Sequence, residues 1–178
     1  MRKNNYGLLL VRGFTASLAG LVFISYMFSS SGGFSMASTL NSNAFFYLFA
    51  VGPSEEIIFR YFIPLVIMVF ADVSYMVGGV IGGVMFGLAH YWAYGGSIAS
   101  MVMAMVAGIW QAVVVWQYSM RRDGKFTFMP GLVSVMLGHG LYDYFVTTVP
   151  GIMLYVGAAC TAVFVLTFVI IKVEEEEA

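Results

Sequence analysis

Charge is what this chain has least of. Only 10% of its 178 residues are Asp, Glu, Lys or Arg, where a soluble domain carries about 25%. With a mean hydropathy of +0.90, that shortage excludes a water-soluble globule. The formal net charge of −1 leaves no basic footprint for nucleic acid. Strict apolar–polar alternation is also missing, which excludes a membrane β-barrel. The single cysteine, Cys160, excludes an intramolecular disulfide. It lies in an apolar run and reads as a small packing residue rather than a nucleophile. A cleavable signal peptide is not expected, because the first apolar run is long enough to span.

What the chain has is long continuous apolar runs, and in hydrocarbon such runs must be helical to satisfy their own backbone. The expected fold is all-α: a polytopic transmembrane bundle of about six helices, one integral membrane domain over residues 1–178. The spans are read as Tyr6–Phe28, Asn43–Ala71, Tyr75–Trp92, Ser97–Tyr118, a fifth from after Pro130 to near Pro150, and Gly151–Lys172. Between the first two lies an uncharged Ser/Gly-rich loop, Ser29–Ser42. Arg12 sits near enough to the start of its span to snorkel to the interface. Glycines at 78, 79, 82, 83 and 87 form small-xxx-small pairs that let a neighbouring backbone approach. Gln111 is a buried polar residue of the fourth span. Tyr91, Trp92 and Tyr94 read as an interface belt. An even number of spans puts both termini on one side. Arg2, Lys3 and the basic loop Arg121–Lys125 share that side, so both termini are predicted to be cytoplasmic. The acidic end, Glu174–Glu177, reads as a solvated tail.

Against this apolar background the segment Pro53-Ser54-Glu55-Glu56-Ile57-Ile58-Phe59-Arg60 stands out. A charge in hydrocarbon costs at least about 2.5–3.5 kcal/mol, so three in one span point to a protein interior with partners. Gly52-Pro53 either breaks the helix there, placing both glutamates at the positive end of a half-helix, or only kinks it. Residues four apart share a helix face, which pairs Glu56 with Arg60, Phe86 with His90, and His139 with Asp143. With a rise of about 1.5 Å per residue, Glu55, His90, His139 and Asp143 reach similar depths in the outer half of the membrane. Glu56 and Arg60 read as a supporting ion pair. Glu55 is then the free carboxylate, able with His90 to hold and deprotonate a water. His139 and Asp143 are placed to stabilise the oxyanion formed when that water attacks an amide.

The three patterns Glu55-Glu56-x-x-x-Arg60, Phe86-x-x-x-His90 and His139-x-x-x-Asp143, each on its own expected span, resemble the CAAX protease and bacteriocin-processing (Abi) family. That family includes the type II CAAX prenyl endopeptidases. The resemblance covers about Gly52 to Phe145, within a family-like core of about 43–150. It implies an intramembrane peptidase with Glu55 as catalytic glutamate, His90 as its partner, His139 and Asp143 as the oxyanion site, and Glu56 and Arg60 as support. Its partners would be the bilayer and a peptide or membrane-protein substrate. Two features depart from the prenyl endopeptidases: about six spans in place of eight, and Asp143 where they have asparagine. An ionised aspartate cannot donate to an oxyanion, so Asp143 is either protonated or orients His139.

Other readings remain open at this level. Glu55, His90 and His139 would be the ligands of a divalent metal, although the helical His-Glu-x-x-His pattern is absent and activation of water by glutamate needs no cofactor. The same polar residues also suit interhelical glue, a non-catalytic relative acting as an immunity or scaffold protein, or a proton- or ion-coupled carrier. The last is opposed by the lack of an inverted repeat. Oligomeric state is not legible.

Overall fold

The structure is a computed structural model that describes residues 6–30, 46–93, 95–120, 126–148 and 152–176. Most of the expected Ser29–Ser42 loop, the 121–125 basic segment, Tyr94 and Pro150 lie outside them. The described residues form six helices and no strand. They are α1 (Tyr6–Ser30), α2 (46–71), α3 (Tyr75–Ala93), α4 (Ile98–Ser119), α5 (Phe128–Thr148) and α6 (Met153–Glu176). Tyr6–Phe28, Tyr75–Ala93 and Ile98–Ser119 are each long and apolar enough to cross a membrane. The protein is an all-helical integral membrane protein.

Local chemistry explains the ends. Ser97 caps α4, its hydroxyl accepting from Ser100 N–H at 3.2 Å. Asp72 closes α2 in the left-handed conformation, at φ 50°. Helix α5 begins at Phe128, two residues before Pro130, because a proline in the first turn has no hydrogen-bonded N–H to lose.

Helix α2 is continuous but not uniform. Tyr47–Val51 and Ile57–Phe62 are π-helical, and the α-helical turn Gly52–Glu56 lies between them. Val51 and Ile57 keep right-handed helical angles, so the chain is not broken at Gly52-Pro53. The half-helix alternative is not what the protein adopts. Pro64 has no N–H for the carbonyl four residues back, that of Arg60, and the Tyr75 hydroxyl supplies a donor to that oxygen at 3.0 Å.

The glycines of α3 serve two neighbours. A Cβ on Gly82 would stand 2.2 Å from Phe59 O, and one on Gly78 2.9 Å from Pro64 O, so these two seat α2. Gly79, Gly83 and Gly87 instead face Ala112, Ile109 and Met105 of α4. Beyond this layer α1 packs against α4, α5 and α6. One apolar cluster joins Ala16, Tyr75, Val114, Val115, Tyr118, Leu132 and Val135. Another joins Leu18, Leu21, Val22, Ala107, Tyr142 and Cys160. Interhelical hydrogen bonds thread between them. Ser17 Oγ donates to Gln111 Oε1 at 2.8 Å, Trp110 Nε1 donates to Ala16 O at 3.1 Å, and Ser25 bonds the Tyr142 hydroxyl. In a bilayer, where apolar association between helices gains little, such bonds and small-residue contacts hold helices together. Large side chains such as Phe49, Phe70, Trp92 and Tyr155 stay exposed on the outside of the bundle, as a lipid-facing surface requires.

Candidate active site

Three helices carry the site: α2 with Glu55, Glu56 and Arg60, α3 with Phe86 and His90, and α5 with His139 and Asp143. Helices α2 and α5 meet almost backbone to backbone. A Cβ on Gly52 would lie 2.8 Å from Gly140 Cα, and one on Gly140 2.4 Å from Leu48 O. On the opposite side, Gly138 takes Ser17 of α1, whose Oγ would be 2.2 Å from an added Cβ. The two glycines flanking His139 thus admit a helix each, and the imidazole between them is carried to the glutamates of α2.

Glu56 lies at the bottom of the site, fully buried. Its Oε1 accepts from His139 Nδ1–H at 2.7 Å. Its Oε2 is 3.3 Å from Arg60 Nε, an ion pair between two side chains that are both 0% exposed. This contact is not a hydrogen bond, and both Nη groups of Arg60 are buried without one among the described residues. The guanidinium instead lies over the Phe86 ring, with Cζ 4.5 Å from the centroid, where the ring quadrupole attracts a cation.

Glu55 points the other way, toward both imidazoles. Its Oε1 is 4.0 Å from His90 Nε2, and its Oε2 is 3.8 Å from His139 Nε2. Both gaps are too long for a direct hydrogen bond, and each suits one water bonded to both partners. His139 Nε2 also faces Asp143 Oδ1 at 3.6 Å. The exposures rank the groups: Glu55 26%, Asp143 19% and His90 15%, against 8% for His139 and 0% for Glu56 and Arg60. The first three line the accessible part of the cluster, and the last three support it.

The partners fix the tautomers. A carbonyl only accepts, so His90 Nδ1 donates to Phe86 O at 2.8 Å and Nε2 is the basic nitrogen of its neutral ring. The bond from His139 Nδ1 to Glu56 likewise leaves Nε2 as the nitrogen turned toward Glu55 and Asp143.

All four residues expected to do chemistry, Glu55, His90, His139 and Asp143, stand in one cluster, with Glu56 and Arg60 beneath it. The sequence reading missed the second role of Glu56: its bond to His139 spans 83 positions, which no helical spacing reveals. It also left Phe86 as a pattern residue, although the Phe86 ring touches both imidazoles. Among the described residues no three His, Cys, Asp or Glu side chains group as a metal-ligand set at Glu55, His90 and His139, while the Nδ1 bonds of both histidines leave Nε2 turned toward Glu55, the orientation a ligating imidazole also takes.

Residues 37–145 match the family model described as Type II CAAX prenyl endopeptidase Rce1-like. No curated protein and no solved structure matches the chain.

Proposed function

This chain belongs to the type II CAAX prenyl endopeptidase Rce1-like family, and from that premise we propose that it is an intramembrane endopeptidase. It hydrolyses a peptide bond of a membrane-associated peptide or protein with a water activated by Glu55 and His90. The observation that carries this reading is the placement of Glu55, whose two oxygens face the two imidazoles at 4.0 and 3.8 Å, near enough for one water to bond both partners from the side.

The steps follow from the contacts. A water between Glu55 and His90 Nε2 gives up a proton to this pair as its oxygen attacks the carbonyl carbon of the substrate. Negative charge gathers on the carbonyl oxygen. His139, held through Nδ1 by Glu56, turns Nε2 toward that oxygen and, protonated there, donates to it. Asp143 lies beside the same nitrogen, a position that favours the orienting role: a carboxylate there keeps the imidazole in line and balances its charge. The tetrahedral intermediate then expels the amine, which takes the proton that the water gave up, and two chain ends leave. No step requires a metal.

Both termini are assigned to the cytoplasmic side, following the basic residues at 2, 3 and 121–125 and an even number of crossings. The cluster lies toward the end of the bundle that holds the α3–α4 turn, since His90 is three residues from the end of α3.

The test is cleavage. Purified protein in detergent or liposomes, given a panel of membrane-associated peptides, is expected to cut at least one. Glu55→Ala and His90→Ala are each expected to lower the rate by roughly 10²–10⁴, the usual worth of a positioned general base. EDTA or 1,10-phenanthroline is expected to leave it unchanged. Full activity in both variants removes the proposed mechanism, and loss to chelator restored by zinc returns the metal alternative.

A further inference from the structure

We infer that Phe86 is a positioning residue for both imidazoles of the site, its ring serving as the surface against which His90 and His139 are set. The ring is 4% exposed. Its centroid lies 4.1 Å from that of His90, tilted by 46°, and 5.8 Å from that of His139, nearly edge-on at 74°. The Arg60 guanidinium stands 4.5 Å over the same ring, and Phe59 packs on its edge at 5.3 Å. The carbonyl of the same residue takes the His90 Nδ1 proton. Phe86 thus holds His90 twice, by a hydrogen bond at one nitrogen and by ring contact along the plane.

The two holds do different things. The hydrogen bond fixes one point of the imidazole and leaves it free to swing about that point. The ring contact removes the swing and keeps Nε2 aimed at Glu55. For His139 the fixed point is Glu56, and the edge of Phe86 sets the plane. Arg60 ties the arrangement together, because the cation that pairs with Glu56 also lies on the Phe86 face. The ring has no polar atom and can neither give nor take a proton, so it acts only through the imidazoles it touches. This inference deepens the proposed hydrolysis and rests on it for the rate effect alone; the ring orientations stand on geometry.

The chain has two histidines, so protein labelled with histidine carrying 13C and 15N in the ring only, and purified on a tag without histidine, shows two labelled imidazoles. Phe86→Leu, which keeps an apolar side chain and the backbone carbonyl but removes the ring face, is expected to leave His90 in its Nδ1–H form and to loosen its ring, read as lower order of the imidazole in NMR relaxation. It is also expected to lower kcat on a cleaved peptide roughly tenfold to a hundredfold, with KM little changed, the scale that misplacement of a catalytic group produces. Phe86→Tyr is expected to restore both readouts. Where Phe86→Leu fails to fold by its thermal transition, Phe86→Met serves the same purpose. Wild-type order of the imidazoles in the variant without the ring overturns the inference, whatever the rate does. Lowered order of the imidazoles in the variant, with a wild type that cuts no peptide, overturns the hydrolytic reading and leaves the positioning of the imidazoles upheld.

Discussion

Glu55 and Glu56 are adjacent in sequence and opposite in surroundings. Glu56 has no exposed surface and two partners, Arg60 and His139, whereas Glu55 is partly open and faces His90 only at 4.0 Å. The spacing of four residues announced three of the pairs here: Glu56 with Arg60, Phe86 with His90, and His139 with Asp143. Each is local to one helix, and a helical repeat is all that such pairs need. The contact between Glu56 and His139 was not legible, because it depends on how α2 and α5 dock. The two carboxylates should therefore respond differently to the same change. Glu56→Gln keeps the shape but strands the Arg60 charge and weakens the hold on His139. Breaking a buried pair costs about 3–5 kcal/mol, so the thermal transition in detergent is expected to fall markedly. Glu55→Gln removes a partly exposed charge that meets the imidazoles only at 3.8–4.0 Å, and its transition is expected to fall less than that of Glu56→Gln while peptide cleavage is lost. Equal thermal losses in the two variants would contradict this assignment of supporting and reacting carboxylates.

At the scale of the element, α2 carries what the sequence signalled only in part. Gly52-Pro53 pointed to a disturbance beside the glutamates, and the disturbance is there, as two wide π turns bracketing one α turn. Whether the helix breaks or continues is decided by packing. Gly82 accepts Phe59 O and Tyr75 serves Arg60 O, so displaced carbonyls find neighbours and the helix runs on. The glycine pairs of α3 were legible as close-approach signals, but their division between α2 and α4 was not, since five small residues within ten positions cover more than one face. Pi-helical turns are frequent at functional sites, and here they let the short turn with Glu55 and Glu56 face α5. The fit at Gly140 tests that docking. In Gly140→Ala the new methyl meets Leu48 O at 2.4 Å, and backbone atoms cannot move aside as a flexible side chain can. Overpacking of this kind costs about 1–3 kcal/mol. A lower thermal transition is expected together with a loss of cleavage, because the shift parts Glu55 from His139. Gly95→Ala is the poorer control, since Gly95 has φ 65°. Ala158→Ser, at an exposed position of α6, is the better one and is expected to change neither property.

For the whole molecule, the count and order of helices were readable from apolar runs alone; the described residues form six in that order, and three of them are long and apolar enough to cross a membrane. How the helices neighbour one another was not readable, because apolar faces look alike until small and polar residues choose partners. Gly13 and Gly138 of α1 and α5 illustrate the choice: Gly13 meets Ser134, and Gly138 meets Ser17. Positions rising along α1 thus meet positions rising along α5, so the two helices run parallel. Val22 against Gly157 and Leu18 clustered with Cys160 make α1 and α6 antiparallel. Parallel first and fifth helices and antiparallel first and sixth are what a chain crossing the membrane at every helix must give. This alternation puts the α2–α3 turn on the side of the termini and the α3–α4 turn on the other. The assignment of the termini to the cytoplasm then becomes a labelling experiment. The single cysteine, Cys160, is buried, and Cys160→Ser gives a background without thiols. Ser74→Cys, exposed in the α2–α3 turn, is expected to react with a membrane-impermeant maleimide only after cells are opened. Ala93→Cys, exposed at the end of α3, is expected to react in intact cells. The reverse pattern would turn the whole bundle over and present the catalytic cluster to substrates from the cytoplasmic half of the bilayer. Equal labelling of both positions from one side would contradict the crossing of α3 itself, and with it the alternation that brings α2, α3 and α5 to a common site.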